Sequence, residues 1–169
     1  MTIKKQIKKI KFSITAYSKD KQLIELVKKT DKKILAIWAS DCTLRVLPYF
    51  ENEFQNDNRP RTAINILKNW INTNNFNMQI IRKASLDSHA AARETNKNNA
   101  ARSAARSAGQ AVATAHVKTH SIYSASYALQ SIHYATEVEY YDLAITKERE
   151  WQYKHLIKLR KKLNPKKIL

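Results

Sequence analysis

The sequence predicts an all-α protein, a compact single-domain bundle of six or seven helices with a central alanine-rich helix pair. The 169 residues include a single glycine, Gly109. Hairpin turns and phosphate-binding loops depend on glycine because it tolerates positive φ and close backbone approach. The segment from Ala84 to Ala128 is dense in alanine, the strongest helix former. These two observations favour helices and exclude dinucleotide-binding and P-loop fingerprints.

The N-terminal part of the chain is predicted to form three helices. The spacing of an amphipathic helix is shared by Ile3, Ile7, Ile10 and Ile14. The end of this segment also fits a short strand, because apolar residues alternate there. A second helix starts near Ser18 or Asp20, and Thr30 or Asp31 can cap a third. Pro48 is expected to kink or end that third helix.

The rest of the chain continues the helical pattern. After a polar loop over residues 51–58, Asp57 or Asn58 can cap a helix that accepts Pro60 in its first turn. A long helix is expected over 78–95, and the asparagines at 96–99 either break or punctuate it. Gly109 is expected to mark a close contact between helices rather than a turn. The last predicted helices cover 100–118, 119–135 and 138–163.

The formal net charge is +17, and most of the excess lies at the two ends of the chain. Residues 1–33 hold 11 lysines and 3 acidic residues, and residues 147–169 hold 9 basic and 2 acidic residues. Such ends suit nucleic acid, an anionic membrane or an acidic protein surface. We divide the chain into a basic N-terminal extension at 1–30, helical and docked, an all-helical domain at 31–163, and a basic C-terminal tail at 164–169.

Cysteine content and hydropathy indicate a cytoplasmic protein. Cys42 is the only cysteine, so no internal disulfide can form and no oxidising compartment is required. The longest apolar run, at residues 34–39, is far shorter than the roughly 20 residues of a membrane-spanning helix. We therefore expect no membrane span, and we expect an inert core thiol rather than a nucleophile.

Several polar residues have spacings that could build a site. His116 and His120 are four apart, which on one helix would place two imidazoles on the same face. Asp41 and Arg45 share a helical face with Trp38, where they could form an ion pair or part of a polar pocket. A structural, hydrogen-bonded role within the bundle fits the two histidines better than metal binding. The complete set of candidates for a polar pocket or binding site is Trp38, Asp41, Arg45, Arg59, Arg61, His89, Arg93, His116 and His120.

The chain resembles a bacterial family called Imm-5-like, whose members are assigned as immunity proteins. The resemblance spans about residues 32–163. It is carried by WASDC at 38–42, RVLP at 45–48, RPR at 59–61, HAAAR at 89–93, AARSAGQAVATAHV at 104–117 and EWQ at 150–152. This chain departs from the family pattern at Ser40 and Thr43, where alanine is common, and at Gln110, where histidine is common.

The resemblance implies an all-α protein that protects its producer by binding a cognate toxin of an interbacterial polymorphic toxin system. Binding of this kind is stoichiometric, so we expect no enzymatic activity, no catalytic residues, no cofactor and no metal. The positive charge favours an acidic toxin surface.

Two other functions remain open. The basic termini could bind nucleic acid, although no recognition motif is present. A metal-dependent enzyme could use Asp41, His89, His116 and His120 inside the bundle, although Glu-x-x-His pairs are missing.

Overall fold

A computed structural model describes residues 19–163, and this part of the chain is all-helical, without a strand. The N-terminal helix or strand predicted around residues 3–14 lies outside the described residues, and so does the predicted C-terminal tail at 164–169. In chain order the eight helices are α1 (Lys21–Lys28), α2 (Lys32–Leu44), α3 (Leu47–Glu53), α4 (Arg59–Thr73), α5 (Met78–Glu94), α6 (Ala100–Ala113), α7 (His120–Ala135) and α8 (Tyr141–Leu163).

The count of six or seven helices is wrong, because the described residues alone form eight. Pro48 accounts for the difference. It lies in the first turn of α3, after α2 has ended at Leu44. Proline suits this position because its φ is already helical and the first turn leaves its N–H unbonded. Pro48 therefore begins a short helix instead of kinking a long one, and residues 51–53, predicted to be loop, belong to α3.

Asparagine and aspartate cap the start of most of the described helices. Two asparagines take the left-handed conformation that glycine usually supplies: Asn74 follows α4 with φ 60°, and Asn98 precedes α6 with φ 56°. The chain can therefore turn between helices with one glycine in its sequence. Side chains that accept a hydrogen bond from the first turn of the following helix belong to Asp20, Asp31, Asn77 and Asn99.

Helix α6 lies at the centre and contacts α2, α3, α4, α5 and α7, most extensively α7. Its buried side chains are small, so neighbouring helices can approach closely. Serine hydroxyls bond across the contacts: Ser88 Oγ donates to the Ala105 carbonyl at 2.8 Å, and Ser107 Oγ donates to the Ser124 carbonyl at 2.9 Å. The buried core includes residues of all eight helices.

Gly109 lies in α6 at the contact with α5, as the sequence predicted. A Cβ at this position would lie 2.9 Å from Nε2 of His89 and 3.0 Å from its Cε1. Only glycine therefore lets the imidazole ring of α5 rest on the α6 backbone. Among the described helices, none has both the length and the apolar composition of a membrane span.

Candidate functional site

The candidate residues occupy three separate parts of the fold. Trp38, Asp41 and Arg45 lie between α2 and α8, and Arg59 and Arg61 lie at the start of α4. The remaining candidates, His89, Arg93, His116 and His120, belong to α5, the α6–α7 connection and α7. The first two groups form hydrogen bonds and ion pairs with residues of other helices, and the third group lies at or beside a cavity.

Asp41 and Arg45 each bind a residue of α8. The Asp41 Oδ2 atom lies 2.7 Å from Nε2 of His155. Arg45 donates to Glu148 through Nε at 2.9 Å and Nη2 at 2.8 Å. The Glu148 side chain is 4% exposed and the Arg45 side chain 43% exposed, so the arginine shields a buried carboxylate from solvent. Asp41 and Arg45 therefore pair with residues of α8 and not with each other.

Aromatic stacking completes this α2–α8 contact. The guanidinium carbon of Arg45 lies 3.9 Å from the ring centroid of Trp151, and Trp151 stacks on His155 with centroids 4.7 Å apart. The hydrogen bond to Glu148 raises the pKa of Arg45 above its ordinary value. Trp38 is fully buried, and its indole N–H donates to the Gln152 carbonyl at 2.7 Å. These groups satisfy one another, so the contact holds α8 in place.

Glu148, Trp151 and His155 are partners that the candidate set omits. They lie at spacings of three and four on α8, a stripe that the sequence displays but that does not by itself identify the facing helix. Nearby Cys42 is fully buried, and burial raises the pKa of its thiol well above the ordinary value. A thiol in this environment is not a nucleophile at neutral pH.

Arg59 and Arg61 form ion pairs that connect α4 with its neighbours. Arg59 bonds Asp57 at 2.6 Å and Glu94 at the end of α5. Arg61 bonds Glu51 of α3 at 2.6 Å. The hydrogen bonds from Arg59 lower the pKa values of Asp57 and Glu94 below their ordinary values. With carboxylates already bound, these two arginines serve to connect helices.

Two of the histidines, His116 and His120, line a cavity of about 360 Å³ between α5 and the α6–α7 connection. Its wall is mainly apolar, with an arginine, a serine and two histidines among the lining side chains. A cavity with apolar walls and a few polar groups is typical of a binding site. The lining residues are Met78, Ile81, Arg82, Ser85, Leu86, Ala113, His116 and His120.

His116 and His120 meet at this cavity without sharing a helix. His116 follows the end of α6, and His120 is the first residue of α7. The His120 Nδ1 atom lies 2.7 Å from Oε1 of Gln110. The amide oxygen can only accept, so Nδ1 carries the proton and Nε2 is left as an acceptor. Burial is the main cause that lowers the pKa of His120, and the electrostatic effect of His116 is the second. The lowered pKa favours this neutral form.

His89 lies beside the cavity, on the α5–α6 contact. Burial lowers its pKa to about 4, and electrostatic interactions with Arg106, Arg93 and His120 add to the shift. Its Nδ1 atom is buried and has no hydrogen-bond partner among the described residues. Arg93 is exposed on the last turn of α5. The electrostatic surroundings of His89 are therefore cationic.

The cavity adjoins a second one across α5. A hollow of about 370 Å³ lies between α4 and the start of α5, and Ile81 lines both hollows. The first half of α5 therefore separates two depressions. Within residues 19–163, no three or more His, Cys, Asp and Glu side chains form a group that could hold a metal ion. The arrangement is suited to binding an apolar group beside positive charge.

Comparison with known proteins identifies a family. No curated protein and no solved structure matches the chain. A family model, described as Imm-5 like putative immunity protein, matches residues 25–159. The match includes α2 to α7 and most of α8, together with all three groups of candidate residues. The chain belongs to the Imm-5 like putative immunity protein family.

Proposed function

We propose that the chain neutralises a cognate bacterial toxin by stoichiometric protein–protein binding in the cytoplasm of the producing cell. The observation that carries this proposal is the family match over residues 25–159. In such a mechanism the folded surface covers the toxin's functional site, and no turnover is needed.

Of the three groups of candidate residues, the one at the α5 cavity is available to bind a partner. The polar clusters at α2–α8 and at the start of α4 have their charged groups occupied by partners in the same chain. The α5 cavity, in contrast, presents side chains to solvent. A prearranged surface of this kind suits recognition of a partner because little ordering has to accompany binding.

Charge supports an acidic partner. With a net charge of +17, the chain attracts negative surfaces and repels basic ones over a distance set by the salt concentration. Nucleic-acid binding through the basic termini is the competing explanation for the same charge.

The proposal is tested with a growth assay followed by a titration. Genes beside the one encoding this chain are expressed singly, and the product that arrests growth is taken as the toxin. Coexpression of the chain should restore growth, whereas an Ala108→Asp variant, which places a charge in the centre of α6, should not. In vitro, toxin activity should fall linearly with added chain and reach zero near an equimolar ratio.

Other results would identify other functions. Inhibition at a ratio far below one chain per toxin would indicate an enzyme. Inhibition that is lost when excess RNA or DNA is added would indicate that the chain acts through nucleic acid. Normal toxin activity at a large excess of chain would contradict the proposal.

A further inference from the structure

The first half of α5 carries three exposed apolar side chains beside the two cavities. Met78 and Leu86 line the cavity and are 39% and 54% exposed, and Ile80, on the side of the second hollow, is 51% exposed. Residues 78, 82, 85 and 86 follow the three-and-four spacing of one helical stripe. The stripe faces the cavity, so Met78 and Leu86 supply apolar surface to its wall on either side of Arg82.

The positive charge around this wall is not neutralised within the described chain. Arg82 lines the cavity and has no carboxylate partner among residues 19–163. Arg93 and Arg106, whose charges act on His89 beside the cavity, also have no carboxylate partner in this part of the chain. The two acidic residues of α5 are already used, because Asp87 pairs with Lys83 and Glu94 pairs with Arg59. An incoming carboxylate would therefore find a free guanidinium at the cavity.

His120 gives the cavity a preference for a ligand that carries a hydrogen-bond donor. Gln110 holds His120 with Nε2 as acceptor, and Nε2 has no partner among the described residues. A ligand that places an O–H or N–H group near His120 would complete this bond. Tyrosine and tryptophan combine such a donor with an apolar ring, and both are enriched among the residues that contribute most to binding at protein interfaces.

From this geometry we propose that the cavity is an anchor site for a tyrosine or tryptophan of the toxin, carried on a segment with an acidic residue beside the ring. The ring lies on the wall of Met78, Ile81 and Leu86, its donor bonds His120, and the acidic residue pairs with Arg82. This inference rests on the proposed function, because it names the surface through which the toxin is bound.

Charge argues against the other occupants of the cavity. Residues 1–18 of this chain contain five lysines and no acidic residue, so they would be repelled by Arg82 and its neighbours. A second copy of the chain carries the same net charge of +17. An acidic segment of a different protein is therefore the complementary occupant.

A peptide titration tests the site without the toxin. The full chain is labelled for NMR and titrated with a short peptide that has one tyrosine flanked by glutamates. We expect a Kd on the order of 1 mM, since one anchor gives only part of the affinity of an interface. Shift changes should be confined to the cavity residues. Peptides with alanine in place of tyrosine, or lysines in place of the glutamates, should bind at least about tenfold more weakly.

Two matched variants locate the binding. Leu86→Asp places a carboxylate on the cavity wall, and Leu143→Asp makes the same change on α8, where the leucine is 55% exposed. Leu86→Asp should abolish the shift changes and Leu143→Asp should retain them. The proposal is overturned if the peptide causes no shift changes, or if both variants bind it equally. It is also overturned if the unmodified chain is a dimer and Leu86→Asp makes it monomeric, because the cavity would then be an interface between two copies of the chain.

The toxin assay separates this inference from the function. If the unmodified chain inhibits the toxin and Leu86→Asp raises the inhibitory concentration at least about tenfold, both proposals are supported. If Leu86→Asp inhibits as well as Leu143→Asp, the toxin is bound elsewhere and the anchor site is wrong while the function stands. If the peptide binds the cavity but the unmodified chain does not inhibit the toxin, the cavity has a different partner, which overturns its assignment to the toxin.

Discussion

Gly109 and His89 constrain each other at the contact of α5 and α6. A Cβ at Gly109 would lie 2.9 Å from the imidazole, so neither position can enlarge while the other is kept. The sequence alone predicted the contact at Gly109, because a glycine inside an alanine-rich helix has few other uses. It could not identify His89 as the partner, since the sequence does not give the relative rotation of two helices.

The first prediction concerns Gly109→Ala in two backgrounds. In the unmodified chain the added methyl meets the His89 ring, and overpacking of about 2 kcal/mol should outweigh the helix propensity gain of about 1 kcal/mol. With His89→Ala the obstacle is gone, and Gly109→Ala should stabilise by about 1 kcal/mol. Urea unfolding of the four proteins measures both values. A stabilising Gly109→Ala in the unmodified chain would show that the ring moves aside freely.

The second prediction concerns the pH dependence contributed by His89. Its folded pKa of about 4 lies below the ordinary 6.5, so between these values the unfolded chain binds more protons. The free energy of unfolding should therefore fall as pH is lowered through this range, by up to about 3 kcal/mol from this residue. The pKa of His89 is lowered first by burial, and electrostatic interactions with Arg106, Arg93 and His120 lower it further.

His89→Gln should remove most of that contribution. Urea unfolding at about pH 4.5 and about pH 7.5 measures the difference. An equal loss of stability on acidification in His89→Gln and the unmodified chain would place the dependence on other groups.

At the scale of elements, the helices were easier to predict than their neighbours. Caps such as Asp20 and Asp31 and the long alanine-rich pattern gave α1, α2 and α5 nearly correctly. The short helix α3 was missed because a proline can either end one helix or begin the next. His116 and His120 have the spacing of one helical face, but a turn separates α6 from α7 there, and both rings still line the same cavity.

The third prediction concerns the contact of α2 with α8. Arg45→Met leaves the buried Glu148 carboxylate unpaired and should cost about 2 kcal/mol of unfolding free energy. Adding Glu148→Leu removes the charge and should recover most of the loss. Arg61→Met breaks a pair whose partner Glu51 is 34% exposed and should cost less than about 1 kcal/mol. An equal cost for both single variants would mean that the Glu148 carboxylate stays hydrated when Arg45 is removed.

At the scale of the whole molecule, the net charge influences the rate of association with a charged partner. We expect that replacing Lys4, Lys5, Lys8 and Lys9 by glutamine slows association with an acidic toxin and flattens the dependence of the rate on salt, with little effect on dissociation. Stopped-flow mixing at several salt concentrations measures the rates. An association rate that keeps its value and its salt dependence would show that these lysines do not steer the encounter.

The small side chains at the centre of the bundle also limit how the molecule can respond to a partner. Alanine and serine bring the helices close together, and the hydroxyls of Ser88 and Ser107 bond the backbone of the next helix. Sliding one helix past another would break these bonds and create overlap, because closely packed interiors have few alternative arrangements. Complex formation should therefore be a single kinetic step, with an observed rate that rises linearly with partner concentration and never reaches a plateau.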